Sequence, residues 1–172
     1  MLIFGPSHKL NVKIKAGPLP ALPLSENPFA DWSAHLFVAA RTQYILLSNT
    51  KTLYSTVLCG KGVTDDNRFI ERAMGGLRQA LEDDGLGSVY QRFIAPPSST
   101  VRFARALDRA VTGSMNDLIV HATAWLVEGE LSPFEVGSRL NDVLLSALAA
   151  GGREKYGTPR RAFQSMVNGF GS

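Results

Sequence analysis

Between Trp32 and Gly60 the chain alternates apolar runs with short polar breaks. Trp32–Ala40, Gln43–Thr50 and Leu53–Gly60 are rich in β-branched, aromatic and aliphatic residues, and Arg41-Thr42 and Lys51-Thr52 divide them. Runs of this length joined by two-residue breaks predict an antiparallel three-stranded meander, the core of an α+β domain. In the first run Trp32, Ala34, Leu36, Val38 and Ala40 share one face, and Ser33, His35, Phe37 and Ala39 share the other. Both faces carry bulk, so the sheet is expected to be covered on both sides.

Upstream, Met1–Phe4 is a short apolar run closed by Gly5-Pro6, which suits an edge or first strand. From His8 to Lys15, Leu10, Val12 and Ile14 alternate with lysines, a pattern open to a half-exposed strand or a short helix. Residues 17–30 hold Pro18, Pro20, Pro23 and Pro28, and each removes a backbone donor and biases the residue before it towards extended geometry. This reads as a Pro-rich connector that packs over the domain through Leu19, Leu22, Leu24 and Phe29.

Downstream the period changes to that of helices. Phe69, Ile70, Ala73, Met74, Leu77, Ala80 and Leu81 form one stripe, with Thr64 or Asp65 as N-cap and Gly85 closing the helix. Leu86–Ile94 reads as a second short helix stopped by Pro96-Pro97, and Val101 and Phe103 around Arg102 read as a further strand. Gly113-Ser114-Met115-Asn116-Asp117 looks like a turn that opens a helix, with Ser114 capping and Asp117 completing a capping box. Ser132-Pro133-Phe134-Glu135 has the same logic with proline at the first helical position, and it predicts a helix running to Gly151-Gly152. A basic tail, residues 153–172, ends in a short docking helix carrying Phe163, Met166, Val167 and Phe170. The whole is expected to be one domain over residues 1–172, a mostly antiparallel sheet packed by about four helices.

Composition adds limits. A chain of 172 residues with 45% hydrophobic and 19% charged residues is an ordinary globular protein with room for a core. A net charge of +3 spread along the chain is weak support for a nucleic-acid or membrane partner. The single cysteine, Cys59, excludes an intramolecular disulfide and a multi-cysteine metal site. With no signal-peptide pattern and no apolar run of about 20 residues, a cytoplasmic, non-membrane location is expected.

Asp31-Trp32-Ser33-Ala34-His35-Leu36, then Arg41, then Leu47-Ser48-Asn49-Thr50, resembles the core of a bacterial domain-of-unknown-function family. Its members typically read Trp-His-Ala-Asn-Leu, then an Arg-containing turn, then a strand ending in Asn. Asp108-Arg109 with Gly113–Leu118, the triplet Arg139-Leu140-Asn141, and Tyr156-Gly157-Thr158-Pro159 resemble its later motifs. Here Ser33 and His35 stand where His and Asn are more common. The resemblance implies a fold and carries no activity.

Candidate chemistry is sparse. His8, His35 and His121 lie on separate elements without metal-ligand spacing, so neither metal nor cofactor is expected. Ser114 is not in a nucleophile elbow, and Gly60-Lys61-Gly62 and Gly75-Gly76 match no phosphate loop. The pair Gly75-Gly76 lies inside the best helix, where close packing on the sheet would account for it. One polar set has members at strand ends and at a helix start: Trp32, Arg41, Asn49, Arg109, Asn116 and Asp117. It reads either as a ligand concavity or as a buried hydrogen-bond network clasping the Gly113–Asp117 turn to the sheet. Arg153, Lys155, Arg160 and Arg161, with Tyr156 and Phe163 interleaved, are the candidate nucleic-acid contacts. These features favour an interaction or regulatory module with a protein partner or self-association over an enzyme. The alternatives are a hydrolase or nuclease using the Arg/Asn/Asp set, and a nucleic-acid binder using the tail.

Overall fold

A computed structural model of the chain describes residues 1–106, 108–149 and 155–170. Five strands form one sheet among them: β1 (Leu2–Pro6), β2 (Asp31–Ala39), β3 (Thr42–Asn49), β4 (Ser55–Cys59) and β5 (Val101–Phe103), in the order β4-β3-β2-β1-β5. The helices are α1 (His8–Ile14), α2 (Asp66–Asp83), α3 (Gly87–Val89, continuing as a π turn to Ile94), α4 (Arg109–Glu128), α5 (Pro133–Leu140) and α6 (Pro159–Phe170).

The meander is present, with Trp32 opposite Asn49 and Ser48 opposite Ser55. The expectation of a mostly antiparallel sheet needs correction. β1 is no edge strand but lies between β2 and β5, parallel to both, so the sheet is mixed. Parallel neighbours need a long crossover, and α1 with the Pro-rich connector supplies it between β1 and β2. The segment His8–Ile14 is therefore helix, capped by the Ser7 hydroxyl, with Leu10 and Ile14 buried. The described residues hold six helices where about four were expected.

Both faces of the sheet are covered. On one, Phe4, Trp32, Ile45 and Leu47 pack against α1, α2 and α6, with Phe4 edge-on to Phe69 at 5.1 Å and Tyr54 stacked on Phe163 at 4.4 Å. Asp65 caps α2 by accepting from the Arg68 amide at 2.8 Å, and Gly85 follows its end at φ 74°. A Cβ at Gly76 would overlap Leu58, so this glycine lets α2 sit close on β4, whereas Gly75 faces open space. On the other face Phe37, Ala39, Leu46 and Val57 pack under α4 and α5.

Two helix boundaries differ from expectation. α4 starts at Arg109, capped by Asp108, whose Oδ1 accepts from the Ala110 amide at 2.8 Å. Gly113–Asp117 is consequently helix interior, and Ser114 is a buried inward-facing residue instead of a cap. The capping box at Ser132 and Glu135 is formed, yet α5 stops at Leu140. Beyond it Asn141 turns its side chain to β4, and Leu145 adopts extended geometry and bridges Gly157. The expected stop at Gly151-Gly152 lies outside the described residues.

Candidate functional site

The second face of the sheet is covered unevenly. α4 and α5 lie over the later half of β2 and over β3 and β4, while none of the described helices packs in that way on this face over β1 and the start of β2. The Pro-rich connector, the loop after β5 and the start of α4 wall off that space, leaving a cleft of about 840 Å³. Its walls include Ile3, Leu22, Leu24, Leu53 and Leu148. Lys51, Arg105 and Arg109 supply positive charge to its lining, against Glu26, Asp31 and Asp108.

Its floor comes from alternation along β2. Asp31, Ser33 and His35 point to the same face as Phe37 and Ala39, but they lie short of α4 and so meet the cleft. All three are buried, at 8%, 6% and 8% exposure. Gly5, paired with Ser33 in the register of β1 and β2, adds no side chain above it. A Cβ there would meet only ordinary contacts, Ala104 O at 3.7 Å and Ser33 Oγ at 3.9 Å.

The polar floor is partly wired. The Thr50 hydroxyl donates to Asp31 Oδ1 at 2.7 Å, and the Ser25 amide donates to Oδ2 at 3.3 Å. Ser33 Oγ lies 2.8 Å from Thr50 Oγ1. Burial pushes the Asp31 carboxyl above its ordinary value, and the hydrogen bonds from Thr50 and Ser25 act against that rise. Burial lowers the pKa of His35, so the neutral imidazole is favoured. No hydrogen bond engages its ring among the described residues, and it lines the cleft.

The polar set expected from the sequence does not converge as a whole, although Trp32 and Asn49 are cross-strand partners. Trp32 lies on the opposite face, buried, with Nε1 donating to Phe29 O at 2.7 Å. Asn49 is buried and satisfied: Nδ2 donates to Pro28 O at 2.8 Å, while Oδ1 accepts from the Thr52 amide at 3.0 Å and its hydroxyl at 2.9 Å. Arg41 is exposed at the hairpin tip, about 25 Å of strand from Asn49. Asn116 and Asp117 are exposed on α4, and Asn116 borders a separate groove with Val12 and Val38. Only Arg109 reaches the cleft. Asn49 thus clasps the loop before β2 to the turn after β3, and the Gly113–Asp117 segment takes no part.

In the basic tail, Arg160 is committed to structure. It pairs with Asp84 at 2.7 Å and Asp142 at 3.0 Å and donates to Ser138 O at 3.0 Å. The Tyr54 hydroxyl also donates to Asp84, and burial beside that carboxylate raises the phenol far above its ordinary pKa. Lys155 and Arg161 are exposed, and Arg153 lies outside the described residues. Among the described residues, no three His, Cys, Asp or Glu side chains gather as metal ligands.

The floor residues Asp31, Ser33, His35 and Thr50 were missed as a group. The available signal was in β2, where three polar side chains occupy positions of one strand face that Phe37 and Ala39 continue as core.

Fold and cleft together define an α+β domain with a mixed sheet, covered on both faces but open over part of one. The chain belongs to the family described as domain of unknown function DUF6933, whose family model matches residues 3–162. Neither the curated proteins nor the solved structures hold a match to it. No helix among the described residues is long and apolar enough to cross a membrane.

Proposed function

We propose that this domain is a cytoplasmic interaction or regulatory module whose cleft over β1 and β2 binds a small ligand. One observation carries the reading. Three polar side chains are buried on a strand face where apolar residues would cost nothing, and they line a cleft of about 840 Å³, within the size range of small-molecule sites. Polar groups held against the hydrophobic pattern of their own strand are what a binding floor requires.

Binding is preferred to hydrolysis on chemical grounds. A serine nucleophile needs a base to receive its proton, but the hydrogen-bond partner of Ser33 is Thr50, a hydroxyl and not a base. His35 has no hydrogen bond to Ser33 among the described residues. The lone Cys59 leaves no intramolecular disulfide, in keeping with a reducing compartment.

Gly5→Val provides the test, because its side chain would fill the floor above Ser33 without a clash at Cβ. A fragment screen by NMR on the wild-type domain should give hits that shift the amides of Gly5, Ser33 and His35. Gly5→Val, folded by its own spectrum, should lose them. Hits that map elsewhere, or that survive Gly5→Val unchanged, would refute the assignment.

A further inference from the structure

The chain of hydroxyls on the cleft floor fixes more than the presence of a site. Asp31 accepts a hydrogen bond on each carboxylate oxygen, from Thr50 and from Ser25, an arrangement that suits its ionised form. A carboxylate can only accept, so the proton between Thr50 and Asp31 belongs to Thr50. A hydroxyl has one proton. With it spent on Asp31, Thr50 can only accept from Ser33, 2.8 Å away. Ser33 is thereby left with lone pairs for whatever sits above it, and the missing side chain of Gly5 keeps that space open. The cleft lining also holds Lys51, Arg105 and Arg109, which join no salt bridge among the described residues.

We propose that the cleft selects small organic anions with an apolar middle and a hydrogen-bond donor at the far end, the donor seated on Ser33 and the anion among Lys51, Arg105 and Arg109. Leu22, Leu24 and Leu53 pack the apolar part. Thr50 is a positioning residue, since it acts only by taking the Ser33 proton. The inference rests on the cleft being the binding site, and the experiment separates the two.

Three para-substituted benzoates serve as probes. 4-Aminobenzoate offers a donor, 4-methylbenzoate has the same size and offers none, and 4-formylbenzoate offers only an acceptor. In titrations followed by NMR, 4-aminobenzoate should bind wild type about tenfold more tightly than 4-methylbenzoate, the worth of one hydrogen bond. 4-Formylbenzoate should gain nothing over 4-methylbenzoate. Thr50→Val frees the Ser33 proton for the cleft, so 4-formylbenzoate should then gain severalfold, and Thr50→Ser should restore the wild-type order. A wild-type ratio near one, or a 4-formylbenzoate affinity indifferent to Thr50→Val, overturns the inference. If no benzoate binds while other fragments still occupy the cleft and are lost in Gly5→Val, the ligand class is wrong and the site stands. If Gly5→Val loses nothing, the site itself is wrong and the inference falls with it.

Discussion

Asn141→Ala tests how the outer edge of the sheet is closed. Among the described residues β4 pairs only with β3, so its other edge carries backbone groups that need partners. The Asn141 side chain meets two of them: Oδ1 accepts from the Ser55 amide at 2.7 Å, and Nδ2 donates to Ser55 O at 3.0 Å. Both residues are 1% exposed, so water does not readily replace the side chain. Each buried group left unpaired costs about 1–3 kcal/mol. Two such groups give about 2–6 kcal/mol, a large share of the ~5–15 kcal/mol that holds a domain together. For a chain of this size each kcal/mol moves Tm by about 2–4 °C, so a mid-range loss of about 4 kcal/mol lowers it by roughly 8–16 °C. Asn141→Leu should not rescue, because the loss concerns polarity and not volume. Asn141→Asp should be worse than Ala, since it sets a carboxylate oxygen against Ser55 O. Equilibrium denaturation and calorimetry measure the change, and hydrogen exchange at the Ser55 amide locates it. A loss for Asn141→Ala below about 0.5 kcal/mol, the range of ordinary surface substitutions, with Ser55 still protected, would refute the reasoning.

Further outcomes are expected. Gly137→Ala should cost about 2–3 kcal/mol in denaturant unfolding, because its Cβ would lie 2.6 Å from Val57 N and 3.0 Å from Thr56 Cα, backbone that cannot step aside. Gly75→Ala, with nothing within 4 Å, should instead gain up to about 1 kcal/mol of helix propensity. Arg160→Ala should cost about 1–2 kcal/mol, discounted because the side chain is 35% exposed, while Arg161→Ala should stay within about 0.5 kcal/mol; thermal unfolding distinguishes them. The folded-state pKa of His35 lies below 6.5, so the unfolded chain takes up its proton first. Its contribution to stability is present above pH 6.5 and is lost as pH falls from there through the lower folded value, a slope that His35→Gln should remove from urea midpoints measured between about pH 5 and 7. Asp31 has the opposite sign: its raised folded pKa makes stability fall as pH rises from 3.8 through the folded value.

Local signals were reliable where the partner of each residue is close in sequence. The meander, the stripe and Asp65 cap of α2, the capping box at Ser132 and the docking helix with Phe163 and Met166 all depend on neighbours a few positions away. Periodicity and caps record such neighbours directly in the chain. The Gly113–Asp117 segment failed for the same reason in reverse. Gly113 and Ser114 imitate a local helix start, but Asp108 had already capped the helix.

The sequence by itself determined these elements, the coverage of both sheet faces and a close approach at the Gly75-Gly76 pair, of which the structure uses Gly76. Only the tertiary structure decided that β1 enters the sheet between β2 and β5, because parallel pairing leaves no turn to read. It also decided that Asn141 reaches Ser55 across 86 positions and that Arg160 closes on Asp84. The cleft is the strongest case. Asp31, Ser33 and His35 share a strand face with core residues, and nothing local separates them from Phe37. They form a floor because α4 and α5 are placed over β2 to β4 and leave the start of β2 beside β1 open, a consequence of long-range packing.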